Sequence, residues 1–155
     1  MSFYDWMLAL HLLAAFAVGA ALVLFSVLVV SGRRMTTLDQ TQLLFRLAPF
    51  GTPLIAGGTV LVLILGVILA IDHEDYQLWD VWVIAGIVLW AVLGAVGQRS
   101  GAYYTEVQKV AERGGPDAES EVLARLRAPT GARLHVATVV VFVLLLLDMI
   151  FKPFA

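Results

Sequence analysis

The sequence predicts an all-α fold, an antiparallel four-helix transmembrane bundle with short amphipathic helices on the cytoplasmic side. Four apolar runs are each near or above the ~18–20 residues with which an α-helix crosses ~30 Å of hydrocarbon. Hydrophobic residues make up 61% of the 155 residues, and the mean hydropathy is +0.90. Charged residues lie almost entirely between the runs, and a backbone in lipid must satisfy its own hydrogen bonds, which favours helices.

The four runs predict one membrane domain that covers the whole chain, residues 1–155. The spans are expected at about residues 5–31, 50–71, 79–98 and 134–151.

The connections on one side of the predicted bundle have the pattern of short amphipathic helices. Thr37 and Gln40 have the spacing of a capping box, which predicts a helix start there. After the third span, Tyr103 and Val107 lie at helical spacing on one apolar stripe, and a second short helix is expected from Asp117. These segments are expected to rest on lipid headgroups, and a docking site for a partner protein is the alternative.

Basic residues predict the orientation of the chain in the membrane. Nine of the ten lie between spans one and two or between spans three and four: Arg33, Arg34, Arg46, Arg99, Lys109, Arg113, Arg125, Arg127 and Arg133. The connection between spans two and three has no Lys or Arg, and Lys152 follows span four. The positive-inside rule then predicts a multi-pass membrane protein with both termini outside.

Small residues within the spans predict where helices approach closely, because they let two backbones come together in lipid. They include Ala15, Gly19, Gly57, Gly58 and Gly94. Contacts within the bundle are the first expectation. A homo-oligomer, a membrane protein partner or a flat cofactor lying against the glycines is the alternative.

His11 is the first candidate site residue, because an ionisable group at membrane depth is costly and usually faces the bundle interior. Met7 lies four residues earlier on the same helical face. Imidazole and thioether both ligate copper and haem iron, so the pair is a candidate site for copper or b-type haem. A His bonded to a neighbouring helix and a Met that is plain core form the alternative.

Asp148 is the second candidate, because it interrupts the apolar run of span four near its outer end. Intramembrane carboxylates tend to be paired, and His11 and Lys152 are the candidate partners. Met149 follows directly, and His73 lies in the acidic outer connection, so both join His11 and Asp148 as candidate metal ligands. A carboxylate that reaches water and a solvated loop are the alternatives.

His135 is expected near the inner end of span four, among headgroups or backbone carbonyls. It lies far from His11 along the membrane normal, so the two are not expected to share one iron.

Composition and motifs exclude several classes of protein. The chain has no cysteine and a net charge of −2, so thiol chemistry is absent and no nucleic-acid partner is expected. No hydrolase or nucleotide-binding motif occurs.

The chain resembles an uncharacterised bacterial family of four-span integral membrane proteins in three stretches: Trp6–His11, the stretch from Pro53 to Gly66, and the terminal Phe-Lys-Pro at 151–153. This resemblance implies a location in the bacterial cytoplasmic (inner) membrane. The early His is also similar to that of the copper-resistance D and HemJ-type membrane proteins. That resemblance implies a cofactor or metal, haem b or copper, near the outer leaflet, with electron or ion transfer. A non-enzymatic membrane subunit or scaffold, and a small proton or cation pathway, are the alternatives.

Overall fold

The computed structural model describes residues 2–72 and 76–152, and within these ranges the ordered elements are all helices. Their bounds are α1 Phe3–Gly32, α2 Leu38–Asp72, α3 Val81–Arg113, α4 Ala118–Arg127 and α5 Pro129–Phe151. The helices α1, α2, α3 and α5 are long and apolar enough to cross a membrane. The all-α bundle predicted from the sequence is confirmed, and the protein is a multi-pass membrane protein.

Two of the predicted short helices are not separate elements. The segment after Thr37 is the first part of α2, and the stripe that contains Tyr103 and Val107 is the last part of α3. Pro49 and Pro53 lie inside α2 without ending it, which transmembrane helices tolerate. Only α4 is a short separate helix, as expected from Asp117.

The spanning helices form two tightly packed antiparallel pairs. Helix α1 packs along α2, and α3 packs along α5, while the contacts between the pairs are sparser. Gly58 of α2 seats against α1, where an added Cβ would lie 2.7 Å from Val18 Cγ2 and 3.1 Å from the carbonyl oxygen of Ala14. Gly131 of α5 seats against α3, where an added Cβ would lie 2.7 Å from Tyr103 Cε1 and 2.7 Å from the hydroxyl oxygen of Tyr104. Bare glycine surfaces therefore set the spacing within each pair.

The structure supports some of the predicted close contacts at glycines and contradicts others. A Cβ at Gly19 would meet the Phe142 ring of α5 at 3.6 Å, so this residue faces another helix as expected. Gly94 and Gly57 have no atom within 4 Å of a Cβ position, so the prediction that they pack inside the described bundle is wrong. Position in the helix decides the outcome, because only a glycine on the inward face meets a neighbour.

The two ends of the bundle differ in charge. The acidic end carries the α2–α3 connection and the ends of α1 and α5 that hold Asp5 and Lys152. The basic end carries the α1–α2 connection, α4 and most of the arginines. At the basic end, Val107, Val110, Val122 and Leu126 form a closed core between α3 and α4. Which end faces the cytoplasm stays a prediction from the distribution of basic residues.

Candidate functional site

His11 lies on α1 at the face that meets α2. Gly66 gives its ring room, because a Cβ there would lie 3.2 Å from the ring's Cε1 atom. The backbone of Val62, one turn earlier on α2, lies beside the same ring. The Nδ1 atom of His11 is buried and has no hydrogen-bond partner in the described part of the protein. His11 therefore contacts α2 within the bundle.

Asp148 lies on α5 at the face that meets α3, and it is 8% exposed. It seats against Gly86, where a Cβ would lie 3.1 Å from Asp148 Oδ2 and 2.7 Å from the terminal methyl of Met149. The Oδ2 atom of Asp148 is buried and has no partner among the described residues. The expectation that this carboxylate pairs with His11 or Lys152 is wrong, since each of the three side chains contacts a different surface.

A cavity of about 40 Å³ lies between these two surfaces. Gly66 lines it from α2, Gly86 and Trp82 line it from α3, and Met149 lines it from α5. His11 therefore lies behind one glycine of the wall and Asp148 behind another. A water molecule needs about 10–15 Å³ measured this way, so the cavity has room for about two or three waters. A cofactor pocket is typically about 300–1,000 Å³, so haem does not fit in this cavity.

Three buried side-chain atoms in the described residues lack a hydrogen-bond partner, and all three belong to this region. They are His11 Nδ1, Asp148 Oδ2 and Trp82 Nε1. The indole N–H only donates, an ionised carboxylate only accepts, and an imidazole nitrogen does either. Leaving such groups unpaired in a dry interior is costly. The set is therefore suited to a small guest that both donates and accepts hydrogen bonds.

The site lies close to the acidic end and is covered there by a lysine. Lys152 donates a hydrogen bond from Nζ to the hydroxyl of Tyr76, and its ammonium lies over the Tyr76 and Trp82 rings at 4.2 and 5.4 Å from their centroids. The two rings meet edge to face, 5.1 Å apart. Lys152 thus ties the end of α5 to the α2–α3 connection above Trp82.

The remaining carboxylates that the structure describes at this end are engaged elsewhere or exposed. Asp5 accepts a hydrogen bond from the backbone of Ser2 and so caps α1. Asp80 accepts one from the backbone N–H of Gln77. Asp72 is exposed at the end of α2. Among the described residues, His11 and Asp148 are therefore the ionisable side chains that lie against the glycines of the cavity wall.

His135 forms a second polar site towards the basic end. It is 7% exposed, and its Nε2 lies 2.8 Å from Ser26 Oγ on α1. The Ser26 hydroxyl donates to the Leu22 carbonyl oxygen, so it accepts from the His135 ring. The expectation that His135 meets headgroups is wrong, because α1 supplies a buried acceptor. A hydroxyl that accepts from imidazole is not an activated nucleophile, so this pair is structural.

Met7 and His73 are the remaining residues that were predicted as ligands. Met7 is half-buried on α1, and His73 lies outside the described residues. Within residues 2–72 and 76–152, no group of three or more His, Cys, Asp or Glu side chains is placed to hold a metal ion. Binding of copper or haem at His11, Met7, Asp148 or Met149 therefore stays a prediction. Sequence reasoning missed Trp82, because an interfacial tryptophan is usually only an anchor.

Comparison with protein family models, with curated proteins and with solved structures finds no match to this chain. The resemblance to a bacterial four-span family therefore stays a prediction.

Proposed function

We propose that this chain is a small proton-binding membrane protein whose site is the cavity between His11 and Asp148. One observation carries the proposal. The described part of the bundle leaves three buried polar side-chain atoms without partners. One belongs to Trp82, which lines a water-sized cavity, and the other two belong to His11 and Asp148, which lie against Gly66 and Gly86 of the cavity wall. Ionisable groups at membrane depth are expensive, and they mark proton relays and ion paths more often than structural positions.

The chemistry of the three groups supports a proton as the bound species. A carboxyl and an imidazole each bind and release one proton, and water in the cavity would connect them. The Trp82 N–H would orient that water by donating to its oxygen. The residues that carry protons are Asp148 and His11, and Trp82 is a positioning residue.

The polar groups favour a site open to one side over a continuous transmembrane path. Ser26 and His135 are the next buried polar pair, and Ser26 lies about 22 Å from His11 along α1 at ~1.5 Å per residue. The stretch of α5 between His135 and Asp148 contains Thr138, whose hydroxyl donates to its own helix, and then only apolar residues. The site is therefore expected to exchange protons with the acidic end.

Infrared difference spectroscopy tests the proposal directly. Protein reconstituted in lipid is titrated with acid, and the carbonyl stretch of a protonated carboxylic acid is followed. We expect a band from a carboxylic acid in a dry environment that disappears in Asp148→Asn. Asp72→Asn is the matched control, because Asp72 is exposed at the same end of the bundle, and the band should persist in it. A band that is unchanged in Asp148→Asn would refute the proposal.

Binding of copper is the second candidate, and the thioether of Met149 in the cavity wall favours it. Purified protein, expressed with copper, is analysed by absorption spectroscopy and metal content. Loss of copper in His11→Ala and weakening in Met7→Ala, with no change in His135→Ala, would support this function. Colourless, metal-free parent protein would leave the proton site or a non-enzymatic membrane subunit.

A further inference from the structure

Four arginines at the basic end are exposed, and their side chains have no ion pair or hydrogen bond among the described residues. Arg34 lies just past the end of α1, and the other three lie within spanning helices. These three are Arg46 on α2, Arg99 on α3 and Arg133 on α5. We refer to them as the arginine collar. Each lies near the end of the apolar part of its helix, so one exposed guanidinium belongs to each of three spanning helices.

Packing contacts between the helices place the three collar arginines at similar depths along the bundle axis. Gly51 of α2 faces Phe25 of α1, Ser26 of α1 bonds to His135 of α5, and Gly97 of α3 faces Thr138 of α5. Counting along each helix from these contacts puts the three arginines within about 8 Å of one another in depth, at ~1.5 Å per residue.

Other basic residues, on the last part of α3 and on α4, have partners within the protein. Lys109 Nζ lies 2.7 Å from Glu106, and Arg125 lies 2.6 Å from Glu121. Arg113 donates to the carbonyl oxygen of Lys109. The protein thus supplies partners to these exposed basic side chains of α3 and α4 and supplies none to the collar, although acidic side chains are available in α3 and α4.

We propose that the arginine collar binds the net-negative headgroups of anionic phospholipids in the leaflet at the basic end. Guanidinium groups match phosphate oxygens in a bidentate manner. Long basic side chains at helix ends extend to the headgroup level, and each contributes measurably to binding of an anionic surface. Exposed apolar residues next to the collar, Phe50 and Val136 among them, lie where the acyl chains would pack.

Spin-labelled lipids test the collar. The full chain is reconstituted in phosphatidylcholine vesicles that contain a trace of spin-labelled phosphatidylglycerol or spin-labelled phosphatidylcholine. The fraction of each label that is motionally restricted by the protein gives its relative affinity. We expect the parent to prefer phosphatidylglycerol by about fivefold or more, the effect of one well-placed arginine. The triple variant Arg46→Gln/Arg99→Gln/Arg133→Gln should lose that preference.

The control is a charge-matched triple variant of the partnered basic residues on α3 and α4, Lys109→Gln/Arg113→Gln/Arg125→Gln. It should keep the preference. Replacing the collar by lysines should retain part of it, and circular dichroism in detergent confirms that each variant folds. The proposal is overturned if the parent shows no preference, if the collar variant keeps it, or if the control loses as much as the collar variant.

Discussion

Asp148 is the residue at which stability and the proposed function conflict most clearly. A buried carboxylate oxygen without a partner costs free energy, and an apolar side chain of similar size removes that cost. We therefore expect Asp148→Leu to raise the free energy of unfolding in detergent by ~1–3 kcal/mol while removing the infrared band of the protonated carboxyl. A variant that is less stable than the parent would show that the carboxyl has a structural partner.

Gly58 is the residue at which helix packing is tightest against backbone. Gly58→Ala should destabilise the bundle by ~1–3 kcal/mol, because the new methyl would meet Val18 and the Ala14 carbonyl oxygen. Gly94→Ala is the matched control with open space at its Cβ, and its unfolding free energy should equal the parent's within ~0.5 kcal/mol. Equal losses in both variants would contradict the packing described here.

At the scale of elements, the link between α1 and α5 through Ser26 and His135 has a measurable value. Ser26→Ala removes the acceptor of a buried imidazole N–H, which should cost ~1–3 kcal/mol of unfolding free energy. The same substitution should leave the infrared band of Asp148 unchanged, because the two sites are separated by mostly apolar helix. A shifted band would indicate that the polar sites are coupled.

The elements also show how far the sequence predicts this fold. The four spans follow from length and hydropathy, and the buried face of α4 follows from Val122 and Leu126. The continuity of α2 through Pro49 and Pro53 was not predicted, because a proline is read locally as a helix boundary. Loss of a hydrogen bond at a proline is tolerated where neighbouring helices support the chain.

The candidate site was predicted only in part. Burial of His11 and Asp148 at similar depth follows from the sequence, because ionisable groups in apolar runs usually face inward. Their separation by Gly66 and Gly86 does not, since it depends on which helices pair. A single sequence gives the face of a helix but not the neighbour that the face meets.

On the scale of the whole molecule, the orientation in the membrane is the first testable property. Single cysteines at Gln77 and Ser120 should react with an impermeant thiol reagent from opposite sides, with Gln77 labelled in intact cells. The chain has no native cysteine, so the background is low. Labelling of Ser120 in intact cells would reverse the predicted topology.

The proposed proton site opens at the acidic end of a membrane-spanning bundle. It is tested by changing the pH on one side only of vesicles that hold the protein in a single known orientation, while the Asp148 carboxyl band is recorded. We expect the band to follow the pH of the compartment that faces Gln77 and not the pH of the other compartment. A band that follows the pH at the basic end, or that responds to neither side, would contradict it.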